Sequence, residues 1–209
     1  MADLYAAVAA QRRQLADTLD GLTNEQWATP SLCEGWDVRD VVVHLLSGPE
    51  VKILTFLGYM ARNRFDFNKT NDYIVDVDTR SPGELTAALR TNADSRFHPP
   101  GFGSEAPLTD ISVHTGDIMV PLGLPHEVPA DNARAVMDLL ISPRGQRGFG
   151  KKGRLDGFAF TATDIGWTHG TGPAVSGPSE PMLMAMVGRM VGFDALEGDG
   201  VAALRSRFD

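Results

Sequence analysis

The 209-residue chain is 43% hydrophobic and 22% charged, with a net charge of -8 and a single cysteine, the profile of an ordinary globular protein with one large or two small domains. The acidic balance argues against nucleic acid as a partner, and no apolar run approaches the roughly 18 residues needed to span a bilayer. One cysteine excludes an internal disulfide framework and any Cys-x-x-Cys metal site, so a bound metal would have to be held by histidine and carboxylate.

Met1-Ala2-Asp3-Leu4 lacks a basic and apolar leader, so a cytoplasmic protein without membrane partners is expected. Leu4, Val8, Leu15, Leu19 and Leu22, with alanines between them, predict an amphipathic helix that ends near Gly21. Asp37 then reads as an N-cap with Asp40 as the acid of a capping box, and Trp36 is placed to staple onto Val41. Val38, Val41, Val42, Leu45 and Leu46 form the core stripe of this second helix, and His44 sits on its shoulder. Gly48-Pro49 is expected to interrupt it, with a further helical segment through Ile53, Leu54, Leu57 and Met60 up to Arg62. Cys33, in the loop before the helix, reads as a packed thiol rather than a nucleophile. Ser81-Pro82-Gly83-Glu84 opens another helix in the cap and first-proline style.

The next helix, from about Glu105 to Val120, carries the most informative pattern in the chain. Asp110, His114 and Asp117 form a D-x-x-x-H-x-x-D column on one narrow arc, flanked by Val113 and Val120 on one side and by Ile111, Ile118 and Leu122 on the other. Ser112, Thr115 and Gly116 fall opposite. Ionisable groups within an apolar face require compensation, from a cation or from a dense hydrogen-bond network. With His44 from the second helix, Asp110 and His114 would give three metal ligands and an open position, the pattern of a catalytic zinc site. The same spacing serves an intrahelical Asp–His ion pair, and a lone shoulder histidine serves as a hydrogen-bonded core residue. For Asp117 the preferred reading is the acceptor that fixes the tautomer of a ligating histidine. A fourth ligand or an arginine partner are the alternatives.

Asp131 to Leu140 predicts a further helix, and the basic, glycine-rich run from Ser142 to Arg154 reads as a linker, with an anion clamp as its functional alternative. Phe158, Phe160 and Ala162 then alternate as a strand, Trp167 to His169 suggests a second, and Gly170 to Gly177 is turn-rich around Ala174-Val175. Ser179-Glu180-Pro181 opens a methionine-rich helix through Met190 and Val191. The expected fold is therefore mainly α, an antiparallel four-helix bundle over residues 1–142 followed by a small α/β domain over residues 143–209.

Pro30 to Trp36 before His44, Arg80 to Leu85, Arg96 to Gly101, Ala106 through His114 and Asp117 to Pro125, Ala162 to Trp167, and Gly188-Arg189 together resemble the mycothiol-dependent maleylpyruvate isomerase family, whose first domain is a DinB-like metal-binding bundle. The resemblance runs nearly the full length. It implies a divalent metal, usually zinc, on His44, Asp110 and His114, with Asp110 standing where the family has Glu. It also implies mycothiol as a low-molecular-weight thiol partner, a small-molecule electrophile as substrate, and an isomerase or thiol S-transferase reaction. An arginine of the second domain that holds a substrate carboxylate is matched to Arg189. The protein would be a monomer or homodimer. A metal-dependent hydrolase, with Asp117 or His169 as base, and a non-catalytic metal-binding bundle are the alternative functions.

Overall fold

The structure, a computed structural model, describes residues 3–208. It divides into two compact units between His126 and Glu127. In the first unit, α1 (Tyr5–Leu19) buries Val8, Ala9, Leu15, Ala16 and Leu19 along one stripe, which also contains Arg12. The Arg12 guanidinium donates to the carbonyls of Asn92, Ala93 and Ser95 at 3.1–3.2 Å. These carbonyls follow α6 (Pro82–Thr91), so a buried cation satisfies the negative end of that helix. A single turn, α2 (Asn24–Trp27), is closed by a Thr23–Gln26 capping box.

The second long helix, α3 (Val38–Glu50), has the expected start: Asp37 Oδ1 accepts from the Asp40 amide at 3.0 Å, and Asp40 Oδ2 accepts from the Asp37 amide at 3.2 Å. It is not interrupted at Gly48-Pro49. Pro49 lies in the last turn, where a lost amide costs little cooperativity, and the Val51 amide closes the helix on the Ser47 carbonyl at 2.9 Å. After α4 (Ile53–Arg62) comes α5 (Phe67–Val77), which packs against both α3 and α4. Its pattern alone did not predict it, because two of its four buried positions, Thr70, Asn71, Ile74 and Val75, are polar.

The site helix is α7 (Glu105–Met119). It packs on α1 and α3, and α6 packs on the same two helices, so α1, α6, α3 and α7 close a four-sided bundle. Pro107 falls in the first turn, where its missing amide has no intrahelical partner to lose. The expected polar back of this helix is buried as well: Ser112 and Gly116 are inside, and the Ser112 hydroxyl donates to Gln11 Oε1 at 3.0 Å. A helix packed between two neighbours has little free face, so small and hydroxyl residues there make room for close approach instead of facing water.

The second unit begins at Glu127, sixteen residues before the expected start at residue 143, and its first element is α8 (Ala130–Ile141). The helix belongs here because it packs on α9 (Pro143–Phe149) and α10 (Ser179–Met186). The first half of the expected linker is thus a helix, capped by Ser142, whose Oγ accepts from the Gly145 amide at 3.0 Å. Its second half is held by Arg207, which donates to the carbonyls of Gly153, Arg154 and Asp156 at 2.8–3.1 Å. A three-stranded sheet follows in the order β2-β1-β3. Strand β1 (Ala159–Ala162) pairs antiparallel with β2 (Trp167–His169) and parallel with β3 (Ala174–Gly177). Phe160 and Ala162 face the core, against which α10 packs.

The methionine-rich helix is shorter than its periodicity suggests. Gly188 adopts φ 87°, its amide bonds the Ala185 carbonyl at 3.0 Å, and the Arg189 amide bonds the Met184 carbonyl at 2.9 Å. This pair of bonds is a Schellman motif that ends α10, so α11 (Met190–Phe193) is a separate turn before α12 (Val201–Arg205).

Candidate metal centre

Helices α3 and α7 present their ionisable residues to one another. His44 Nε2 lies 3.6 Å from Asp110 Oδ1, and His114 Nε2 lies 3.5 Å from the same oxygen. The two imidazole rings meet edge to face with centroids 4.8 Å apart. These spacings exceed the 2.7–3.2 Å of a good N–H···O bond. They match the roughly 3.3–3.5 Å edge of a tetrahedron of ligands placed 2.0–2.1 Å from a zinc-sized ion. Among the described residues, two groups of ligand atoms lie close enough to share an ion: His44, Asp110 and His114, and Cys33, His114 and Asp117.

Each element of the site has a local cause. The capping box starts α3 at Val38 and fixes the phase that puts His44 on its shoulder. The loop before α3 is pinned to α7 by the Leu32 amide, which bonds the Asp117 carbonyl at 3.1 Å. From that loop the Trp36 ring stands 5.2 Å from the His44 ring, and its indole N–H donates to Asp72 Oδ1 at 3.0 Å. Trp36 therefore contacts the site histidine, a role the capping pattern does not reveal.

Asp117 is fully buried, and its Oδ2 is 2.9 Å from His114 Nδ1. The other ring nitrogen of His114 is thereby left facing Asp110 and His44. Cys33, read from the sequence as a packed thiol, reaches into the same network: its S–H donates to Asp117 Oδ2 at 3.1 Å, with Sγ 3.6 Å from His114 Nδ1. No sequence spacing links residue 33 to residue 117. The His44 Nδ1 atom is buried without a hydrogen-bond partner, so the two histidines are held differently: His114 by a carboxylate, His44 by ring packing.

The electrostatics follow from this crowding. Burial alone would raise the Asp110 carboxyl, but the neighbouring His44 and His114 imidazoles and the Arg12 guanidinium outweigh it and hold it below its ordinary value. Burial likewise opposes charge on His114, yet its bonds to Asp117 and Cys33 and the charges of Asp110 and Asp117 push it up to about 10. Without a metal, a protonated His114 between two carboxylates is the arrangement that satisfies the cluster.

His98 is exposed, His126 is half-buried, and neither joins the two ligand groups. His169 is exposed on β2, stacked on Trp167 with centroids 6.1 Å apart. Arg189 is half-buried in the turn between α10 and α11, not within a long helix, because Gly188 ends α10 one residue before it. In the basic run read as a linker, Gln146 donates to Asp156 Oδ1 at 2.9 Å and accepts the Gly153 amide and Arg154 lies over the Phe208 ring, while Arg147, Lys151 and Lys152 are exposed.

Residues 8–98 match the family model described as the mycothiol maleylpyruvate isomerase N-terminal domain. The matched segment includes His44 and ends before α7. Two solved structures are similar over 95% of this chain and 96% of theirs: the mycothiol-dependent maleylpyruvate isomerase, at 15% identity and a TM-score of 0.54, and a histidine-to-alanine mutant of it, at 15% identity and 0.55. No curated protein matches the sequence. Residues 8–98 are thus similar to the mycothiol maleylpyruvate isomerase N-terminal domain, and the chain as a whole has the maleylpyruvate isomerase fold.

Proposed function

We propose that the chain is a metal-dependent enzyme of the cytoplasm that uses mycothiol to act on a small electrophilic molecule, as an isomerase or a thiol S-transferase. One observation carries the reading: His44 Nε2, Asp110 Oδ1 and His114 Nε2 converge between α3 and α7 at spacings too long for hydrogen bonds and suited to a shared ion. Two imidazoles and one carboxylate suit zinc, and three protein ligands leave a position open. When bound, the ion would hold the thiol as a thiolate and so would supply a nucleophile for reversible addition to an activated double bond.

The chain's own residues have distinct parts in this scheme. Asp117 accepts a hydrogen bond from His114 Nδ1–H and so would leave the Nε2 lone pair for the ion. Asp110 is one methylene shorter than the glutamate of the family pattern, and its Oδ1 stands nearly equidistant from both imidazole nitrogens, at 3.6 and 3.5 Å. Arg189 is the proposed holder of a substrate carboxylate through its forked donors. The hydrolase alternative needs a free base near the ion. Asp117 Oδ2 takes part in contacts with both His114 and Cys33 in a fully buried position, which argues against that role.

Metal analysis and cobalt substitution test the proposal. The expected result is one divalent ion per chain, lost in His44→Ala, and a thiolate-to-cobalt charge-transfer band that grows as mycothiol is added. Thiol-independent hydrolysis without such a band favours the hydrolase. A bound ion with no consumption of mycothiol across a panel of electrophiles favours the non-catalytic bundle.

A further inference from the structure

We infer that Cys33 is a positioning residue for the metal centre, its thiol orienting Asp117 and through it His114, rather than a ligand or a nucleophile. The inference rests on the metal reading above and assigns a role to a residue outside its ligand set.

The two ligand groups share His114 through opposite ring nitrogens: Nε2 faces His44 and Asp110, whereas Nδ1 faces Cys33 and Asp117. A neutral imidazole has one lone pair and one N–H, so an ion can draw on one of the two groups and not on both. Hydrogen-bond lengths decide which. His114 Nδ1 and Asp117 Oδ2 are 2.9 Å apart, the length of a direct N–H···O bond. At Nε2 the distances are longer and leave room for an ion. With the Nδ1 proton directed at Asp117, the Cys33 S–H meets the same oxygen at 3.1 Å, and its two lone pairs accept both donors.

The loop that carries the thiol is built to hold it there. The Cys33 amide bonds Ser31 Oγ at 3.1 Å, the Cys33 carbonyl accepts from the Trp36 amide at 3.0 Å, and the Leu32 amide is tied to the Asp117 carbonyl. Gly35, at φ 82°, makes the turn between them. One loop thus presents Cys33 behind His114 and Trp36 against His44. Both proposed imidazole ligands are braced from the same six-residue segment, Ser31 to Trp36.

The test compares wild type, Cys33→Ala, Cys33→Ser and His44→Ala, all checked for folding by circular dichroism, in zinc competition against a chromophoric chelator. A lost partner of a ligating histidine weakens metal binding by on the order of tenfold or more. Cys33→Ala should show that loss, and Cys33→Ser, which keeps a donor at the same place, should recover most of it. The cobalt protein without added thiol should show no thiolate charge-transfer band. Wild-type zinc affinity in Cys33→Ala, or failure of serine to rescue, overturns the positioning role. A thiolate band in the resting cobalt protein that vanishes in Cys33→Ser makes Cys33 a ligand and overturns it in a different way. Unchanged zinc binding in His44→Ala refutes the metal reading itself, and the Cys33 inference falls with it.

Discussion

Replacing Asp117 by Asn isolates the contribution of one buried charge to the site. The side chain is fully buried, and its Oδ2 meets His114 Nδ1 at 2.9 Å and Cys33 Sγ at 3.1 Å. Asparagine keeps the shape and one acceptor oxygen but removes the charge, and its amide must point either toward His114 or away from it. A hydrogen bond to a charged group contributes about 1.5–3 kcal/mol, against about 1 kcal/mol for a neutral one. The difference, about 0.5–2 kcal/mol, falls on the form of His114 that binds metal, and changes behind ligating histidines weaken affinity by about 10- to 100-fold. Tenfold corresponds to about 1.4 kcal/mol, so the two estimates overlap near the tenfold end. The assay is zinc affinity by chelator competition, together with the melting temperature of the metal-free protein, which should fall because a buried ion pair loses one partner. An Asp117→Asn variant with wild-type zinc affinity and an unchanged melting temperature would refute the assignment of Asp117 as the group that orients His114.

In chelator-treated protein, His114 held at about 10, against an unfolded value near 6.5, contributes stability that is fully present below about pH 6.5 and is lost as pH rises through about 10. The lowered Asp110 contributes above its ordinary value and loses that contribution in acid. Melting temperatures of wild type minus His114→Gln should therefore shrink from pH 6.5 to 10, and a difference that is flat with pH would contradict the charged cluster. Arg189→Lys keeps charge without the planar fork, so thiol-dependent activity should fall while metal content holds; wild-type activity in Arg189→Ala would remove it from the mechanism. Gly145→Ala should destabilise the second unit by about 1–3 kcal/mol, because the added Cβ would sit 1.9 Å from the Leu139 carbonyl oxygen; an unchanged denaturation midpoint would show that α9 can shift to accept it.

Local chemistry made much of this protein legible before its structure. The Asp37–Asp40 capping box, the Ser81-Pro82 start of α6 and the apolar stripe of α1 are determined within a few residues, because caps and periodicity act over one or two turns. The column of Asp110, His114 and Asp117 is equally local: helical spacing puts it on one arc, and burial of acids on an apolar arc demands a partner. Elements stabilised from a distance were not legible. Helix α5 has a half-polar buried stripe that only its packing against α3 and α4 explains, and α9 replaces an apparent linker because Gly145 can approach the Leu139 carbonyl. Gly188, with its positive φ, ends α10 where apolar periodicity continues, and so moves Arg189 out of a helix. The convergence of His44 on the column, the Trp36 indole on Asp72 and the Cys33 thiol on Asp117 join residues 36 to 84 positions apart in sequence. Spacing along a chain carries no distance across a bundle. The residue types were in the sequence, but which nitrogen of His114 faces which partner was decided only when α3, its leading loop and α7 packed together.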